Sequence, residues 1–278
     1  MEARESVCAP CVLESRSMNG KEVLQEQYKD GTNLSARIRL HARFSTNRIG
    51  MFNWIFDQMK VPENARVLEV GTGTAQFWIR NAKRIPPRWR ITVSDFSLGI
   101  LKEGLADAAA RAARSFNAAQ LDAQTLPFKD GVFDAIIANH MLYHVPDVPA
   151  ALREFRRVLV PGGACYAATM GRASMKEFHD AAYRFLGFRM SQSAEHFGLE
   201  TGLAPMRECF SQVDLLRYPD SLIVTEVGPL IDWINSTRVG SKAAPENLAA
   251  LKDYFEAEIS KHGEYRITKD AGMFVAIA

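Results

Sequence analysis

Glu69, Gly71, Gly73, Asp95 and Asp122 have the residue types and order of a nucleotide site. The first three lie in Val67-Leu-Glu-Val-Gly-Thr-Gly-Thr-Ala75, between an apolar run and a helical stretch, the setting that a glycine-rich turn needs to bind a nucleotide. Gly71 and Gly73 let the backbone turn tightly and approach a ligand with no Cβ in the way. Asp95 ends the next apolar run, where a carboxylate accepts ribose hydroxyls. Asp122, in Leu121-Asp-Ala-Gln-Thr-Leu-Pro-Phe128, is placed to accept an adenine amino group. A dinucleotide turn of the G-x-G-x-x-G kind would have glycine at position 76, and Gln76 stands there. Glu69 would repel a pyrophosphate and attract an ammonium. The ligand expected is therefore an adenosine with a cationic or zwitterionic amino-acid tail.

The elements that must position these residues are legible in the hydrophobic pattern. Short apolar runs at Arg66–Val70, Arg90–Ser94, Phe116–Gln120, Phe133–Ala138 and Ala164–Met170 alternate with amphipathic helices over Gln76–Arg84, from Leu98, and after Asp147. Strands separated by single helices predict right-handed βαβ units and a doubly wound parallel sheet. Ser97 and Asp147 are suitable N-caps. Beyond Arg172 the pattern changes: an aromatic helical stretch to Gly198, a helix near Pro205–Phe210, then strands at Val213–Tyr218, Leu222–Thr225, Tyr265–Thr268 and Met273–Ala278, with helices at Val227–Ser236 and Glu246–His262 between them. A helical run from Lys21 to Lys60 precedes the first strand. The division expected is a tail over residues 1–18, an N-terminal helical cap over 19–62, and an α/β domain over 63–278 with cap insertions at about 172–200 and 226–262.

Taken together, Glu69-Val-Gly-Thr-Gly-Thr-Ala75, Asp95-Phe-Ser97, Asp122-Ala-Gln-Thr-Leu-Pro-Phe128, Phe133-Asp-Ala-Ile-Ile-Ala-Asn-His140 and Arg157-Val-Leu-Val-Pro-Gly-Gly163 resemble the class I S-adenosylmethionine-dependent methyltransferases, in the branch that includes ubiquinone and menaquinone biosynthesis. Ala75 departs from the third glycine that the family often carries. The resemblance implies a Rossmann-like, mostly parallel seven-stranded sheet with an antiparallel C-terminal strand. It implies S-adenosylmethionine as methyl donor and S-adenosylhomocysteine as product. Glu69, Gly71 and Gly73 would hold the methionyl end, Asp95 the ribose, and Asp122 with the Ala123 backbone the adenine, with Thr72, Phe96, Ser97 and Gln124 also among the cofactor-binding residues. Asn139 and His140 would lie beside the sulfonium.

Methyl transfer from a sulfonium is an in-line displacement of a good leaving group, so positioning and desolvation dominate. A base is needed only where the acceptor must lose a proton. The candidates are His140, His144 and Tyr28; His41 reads as amphipathic packing, and His179 and His196 as packing or surface residues. Phe178, Tyr183, Phe185 and Phe188, with Tyr28, suggest an apolar pocket, although helix packing explains the phenylalanines more simply. Such a pocket suits a small hydrophobic acceptor of bacterial secondary metabolism, with a resemblance to teleocidin-type terpenoid-indole methyltransferases that methylate a prenyl double bond. A quinone ring is the alternative.

Other classes fit poorly. A net charge of +2 is too small for a nucleic-acid track. The fourth strand ends in Asn139-His-Met-Leu rather than an Asn-Pro-Pro-Tyr run, and no Tyr-x-x-x-Lys pair suggests a nicotinamide reductase. Met1-Glu-Ala-Arg-Glu-Ser is charged where an export leader is apolar, no run reaches the length of a membrane span, and no metal-ligand set is apparent, so a cytoplasmic protein is expected. Cys8 and Cys11 read as part of the tail, Cys165 as strand core and Cys209 as a helix end. The amphipathic Met18–Tyr28 segment points to a homo-oligomer. Arginine outnumbers lysine about two to one, a bias that suggests a GC-rich bacterial genome.

Overall fold

The computed structural model describes residues 32–112, 116–187, 193–237 and 240–278. Tyr28, Phe188, Cys8, Cys11 and the Met18–Tyr28 segment lie outside them. Two helices, α1 (Thr32–Phe44) and α2 (Met51–Gln58), precede the sheet. The expected continuous helical run is interrupted between them, and Gly50, at φ 75°, precedes α2.

The sheet runs in the order β3-β2-β1-β4-β5-β7-β6, from β1 (Arg66–Val70), β2 (Arg90–Asp95), β3 (Asn117–Gln120), β4 (Phe133–Asn139), β5 (Leu159–Met170), β6 (Gln212–Val224) and β7 (Tyr265–Ile277). β7 pairs antiparallel with both β5 and β6, and the β3-to-β5 part is parallel. This is the Rossmann-like, mostly parallel seven-stranded sheet expected. The helices between strands are α3 (Gln76–Asn81), α4 (Leu98–Ala112), α5 (Val148–Val158), α6 (Lys176–Leu186), α7 (Ser193–Phe197), α8 (Leu203–Cys209), α9 (Gly228–Asn235) and α10 (Pro245–His262).

Period-two alternation sends the strand side chains to two cores. Leu68, Ile136, Ala138, Cys165, Ala167 and Phe274 pack on one face with Leu152 and Phe155 of α5. Val67, Ala135, Ile137, Tyr166 and Met273 pack on the other with Phe77 and Trp78 of α3. Helix α5 buries Val148, Ala151, Leu152, Phe155 and Val158 at helical spacing, and Asp147 Oδ1 caps it by accepting from Ala150 N at 2.9 Å.

The two strand pairs expected on either side of Pro219 and Lys269 are single strands of 13 residues each. Pro219 is tolerated because β6 is an edge strand. Only Ala271–Ile277 of β7 pairs with β5, so the pairs from Pro219↔Asp270 to Val224↔Tyr265 project beyond the C-terminal end of the parallel strands. This two-stranded ribbon carries a third core, in which Leu222, Val224, Tyr265 and Ile267 pack with Leu40 of α1, Phe178 of α6, Leu230 and Ile234 of α9, and Leu251 and Phe255 of α10. Helices α1, α6, α9 and α10 are thus packed on an extension of the sheet itself. Among the described residues no helix is long and apolar enough to cross a membrane.

Candidate functional site

Strand β1 has β2 on one side and β4 on the other, which makes its C-terminal end the crevice where open α/β sheets bind ligands. Residues 71–75 turn there into α3. Gly71 and Gly73 adopt φ of 74° and 54°. A Cβ on Gly71 would meet Met141 Cβ at 2.6 Å, whereas one on Gly73 would point into open space. Gly71 is therefore required for packing under the β4 exit loop, and Gly73 leaves a bare backbone towards the crevice. Ala75, where a third glycine was missing, is itself left-handed at φ 54° and 1% exposed, a conformation that costs an L-residue roughly 1–2 kcal/mol.

Glu69 lies beneath this turn, only 1% exposed. Its Oε2 accepts from Thr72 Oγ1 and from Trp78 Nε1, both at 2.5 Å, and Asn139 Nδ2 stands 3.4 Å from Oε1. Burial pushes its carboxyl up to about 7, against hydrogen bonds from Thr72, Trp78 and Asn139 that favour ionisation. Glu69 is thus less a surface ligand than the sequence suggests: it ties β1, the turn and α3 together, and puts titratable negative charge behind the crevice. Asn139 Oδ1 is buried and has no hydrogen-bond partner among the described residues.

Asp95 ends β2 and braces the turn from the other side, its Oδ2 accepting from Gly73 N and its Oδ1 from Ser97 N, both at 2.9 Å. Burial raises its carboxyl from the ordinary value, opposed by the backbone N–H groups of Ser97, Gly73 and Phe96. Thr72 N donates to Ser94 O and Leu121 N to Asp95 O, which links the ends of β1, β2 and β3. Asp122 Oδ1 accepts from both Gln124 N (3.0 Å) and Gln124 Nε2 (2.9 Å), and Gln124 Oε1 accepts from Asp147 N at the start of α5. Ala123 is buried between them and Phe96 is half-buried.

Two residues of this site were missed in the sequence. Trp78 supplies the indole donor to Glu69, and a buried indole N–H needs a partner. Gly104 of α4 sits against the turn, so that a Cβ there would lie 2.5 Å from Gly73 O. Its signal was a glycine inside a helix, which costs about 1 kcal/mol unless packing requires it.

His140 follows β4 with φ 54°, its N–H donating to Ala168 O at 2.9 Å. Burial, the Lys269 ammonium and His144 hold its imidazole down to about 4. His144 stacks edge-on against Tyr143 at 4.5 Å between ring centres. His196 Nε2 lies 2.6 Å from Val145 O, and burial holds the His179 imidazole below its ordinary value. Among the described residues, Phe178, Tyr183 and Phe185 of α6 do not line one common pocket. Phe178 is fully buried between Trp233 and Phe255, Phe185 packs on Tyr254, and Tyr183 is 53% exposed. The cause is the third core, which takes the apolar face of α6. Cys165 is buried in β5 and Cys209 ends α8, as read from the sequence.

Residues 68–167 match the methyltransferase-domain family. A demethylmenaquinone methyltransferase of Listeria monocytogenes is 34% identical over 131 residues, 46% of this chain and 55% of its own. The corresponding enzyme of Geobacillus stearothermophilus is 29% identical over 136 residues, 49% of this chain and 58% of its own. The chain therefore spans little more than half the length of these curated relatives. Among solved structures, a [4+2]-cyclase, SpnF, superposes with a TM-score of 0.55 at 18% identity over 92% of this chain and 95% of its own. A Thermotoga maritima S-adenosylmethionine-dependent methyltransferase, titled a possible histamine N-methyltransferase, does so with 0.53 at 16% over 91% and 99%. These structural likenesses establish the fold, and a cyclase among them means that the chemistry must be argued from the site.

Proposed function

We propose, from the class I S-adenosylmethionine-dependent methyltransferase domain that this chain carries, that the whole protein transfers a methyl group to a small hydrophobic acceptor. The observation that carries the reading is the turn at residues 69–75, braced by Glu69 and Asp95 at the switch point of the sheet. Its features fit the donor. Asn139 Oδ1 is a buried acceptor without a partner, suited to a methionyl ammonium. The bare backbone at Gly73 admits a ligand at close range. The Asp95 carboxylate accepts from the backbone of Gly73, Ser97 and Phe96, and of its roughly four lone-pair sites one remains for a ribose hydroxyl. When bound, the donor supplies the activated methyl group. The chain's own residues orient it, exclude water and select the acceptor, and those contributions suffice for displacement at a sulfonium.

The assignments follow residue by residue: Glu69, Gly71, Thr72 and Gly73 at the methionyl end, Asp95, Phe96 and Ser97 at the ribose, Asp122, Ala123 and Gln124 at the adenine, Asn139 and His140 beside the sulfonium. The N-terminal helices and the insertions near 172–200 and 226–262 would form the acceptor-selecting cap. Two acceptor classes are in play. A prenyl or terpenoid double bond of a secondary metabolite suits the aromatic richness of the chain, and a quinone ring is favoured by the demethylmenaquinone methyltransferases among its relatives. Met18–Tyr28 supports a homo-oligomer, and unchanged light scattering after removal of residues 1–30 would argue against it.

The test is a thermal-shift titration followed by an acceptor screen. S-adenosylhomocysteine is expected to raise the melting temperature and NADPH to leave it unchanged. With S-adenosylmethionine, prenylated and phenolic acceptors are then screened by mass spectrometry for the gain of one methyl group. A melting temperature raised by NADPH alone, or no transfer to any acceptor of either class, would refute the reading.

A further inference from the structure

A second group of polar side chains, on the ribbon of β6 and β7, lies past the C-terminal end of the parallel strands and meets the donor site at His140. Asp220 of β6 and Lys269 of β7 are directly paired across the ribbon, just past the point where Met170 of β5 meets Ala271. The Asp220 side chain is fully buried. Its oxygens accept from Lys269 Nζ and Ser45 Oγ, both at 2.6 Å, from Ser221 N at 2.9 Å, from Asn47 N at 3.0 Å and from Thr46 Oγ1 at 3.1 Å. The carboxylate therefore clamps the α1–α2 connection onto the ribbon and anchors the lysine.

Lys269 makes one hydrogen bond among the described residues, to Asp220, and so retains donors for a further partner. Its Nζ lies 5.4 Å from the centre of the Tyr218 ring and its charge opposes protonation of both His41 and His140. The ammonium thus acts on His41, from α1, and on His140, from the β4 exit, and His144 adds to its effect on His140. His41 Nδ1 is buried without a hydrogen-bond partner among the described residues, and the Tyr218 hydroxyl is buried beside the Ser45 side chain. Trp54 and Trp233 wall the group, 5.3 Å from the rings of Tyr218 and His41 respectively.

We propose that Lys269, Tyr218, His41 and His140 form the acceptor pocket and grip an ionisable hydroxyl of the acceptor, a phenol or enol that binds as its anion. The inference rests on the methyltransferase reading and narrows it. A buried polar atom without a partner costs its full desolvation energy, and a purely apolar alkene would leave His41 Nδ1 and the remaining Lys269 donors in that state. An oxyanion accepts from Lys269 and Tyr218 together, and charge-assisted hydrogen bonds of this kind are the strong ones. The flanking indoles suit the ring that bears the oxygen. His41, Asp220 and Lys269 are far apart in sequence, so only the projecting ribbon brings them to the strand ends.

The test uses 4-nitrophenol as probe, with 4-nitroanisole as its non-ionisable counterpart, on the full chain saturated with S-adenosylhomocysteine. The expected result is saturable binding of 4-nitrophenol with a rise in phenolate absorbance, and binding of 4-nitroanisole at least about tenfold weaker. Tyr218→Phe and His41→Gln, which leave the Asp220–Lys269 pair intact, should each weaken 4-nitrophenol about fivefold or more, and Lys269→Met should abolish the phenolate signal. Equal affinities for the two probes, no saturable phenol binding, or unchanged affinity in both Tyr218→Phe and His41→Gln would overturn the pocket. Calorimetric titration with S-adenosylhomocysteine separates the two readings: if it binds while the phenol does not, only the pocket falls, and if it fails to bind the wild-type chain, the methyltransferase reading falls too.

Discussion

Replacing Glu69 by glutamine tests the link between the buried carboxyl and the donor site. Burial moves this carboxyl from its ordinary 4.5 up to about 7. At about 1.4 kcal/mol per tenfold change, ionised Glu69 therefore costs the fold on the order of 3 kcal/mol. The sign follows from where the proton resides. Between about pH 4.5 and 7 the unfolded chain has lost it and the folded chain still holds it, so stability falls as pH rises through that window and levels off above it. A bound methionyl ammonium favours the ionised form, so it draws the carboxyl back down and expels a proton. S-adenosylhomocysteine affinity should then rise with pH, being roughly tenfold weaker at pH 6 than at pH 8. In Glu69→Gln the amide oxygen still accepts from Thr72 and Trp78, while its NH2 group replaces Oε1 opposite Asn139 Nδ2, so the Asn139 amide must turn over to present its oxygen. The variant should melt higher than wild type above pH 7 and bind the ligand with no pH dependence. Calorimetry in two buffers of different ionisation enthalpy measures the expelled proton directly. A flat wild-type profile, or the same slope in Glu69→Gln, would refute the argument.

Three other substitutions probe the supports. Gly104→Ala would put a Cβ 2.5 Å from Gly73 O, so it should cost about 1–3 kcal/mol in urea unfolding and weaken S-adenosylhomocysteine binding by deforming the turn; wild-type affinity would show the contact to be incidental. Trp78→Phe removes the indole donor to Glu69 and part of a fully buried ring; the lost hydrogen bond should cost about 1.5–3 kcal/mol above pH 7 and less at pH 5, where the carboxyl is protonated, while the packing loss is the same at both. Phe178→Ala empties the centre of the third core and should destabilise by about 3–5 kcal/mol; a loss of phenol binding with no change in stability would instead return Phe178 to the acceptor pocket.

The sequence by itself determined the parallel half of the sheet and the positions of its ligand-facing turns. Strands such as Phe133–Asn139 and helices such as Val148–Val158 follow from hydrophobic period and caps, which are local, and Glu69, Gly71, Gly73, Asp95 and Asp122 occur where those elements end. What tertiary structure decided depends on long-range pairing. Pro219 hides the continuity of β6, because its cost depends on the strand being at an edge, a fact of sheet order. Once β6 and β7 pair along their full length, the ribbon they extend draws α1, α6, α9 and α10 into a separate core. That core holds Phe178 as a packing residue, the simpler of its two sequence readings, and its ribbon pairs Lys269 with Asp220, separated by 49 residues. Burial completed the picture, since no local pattern shows that Glu69 lies beneath its turn rather than at its surface, held there by the indole of Trp78.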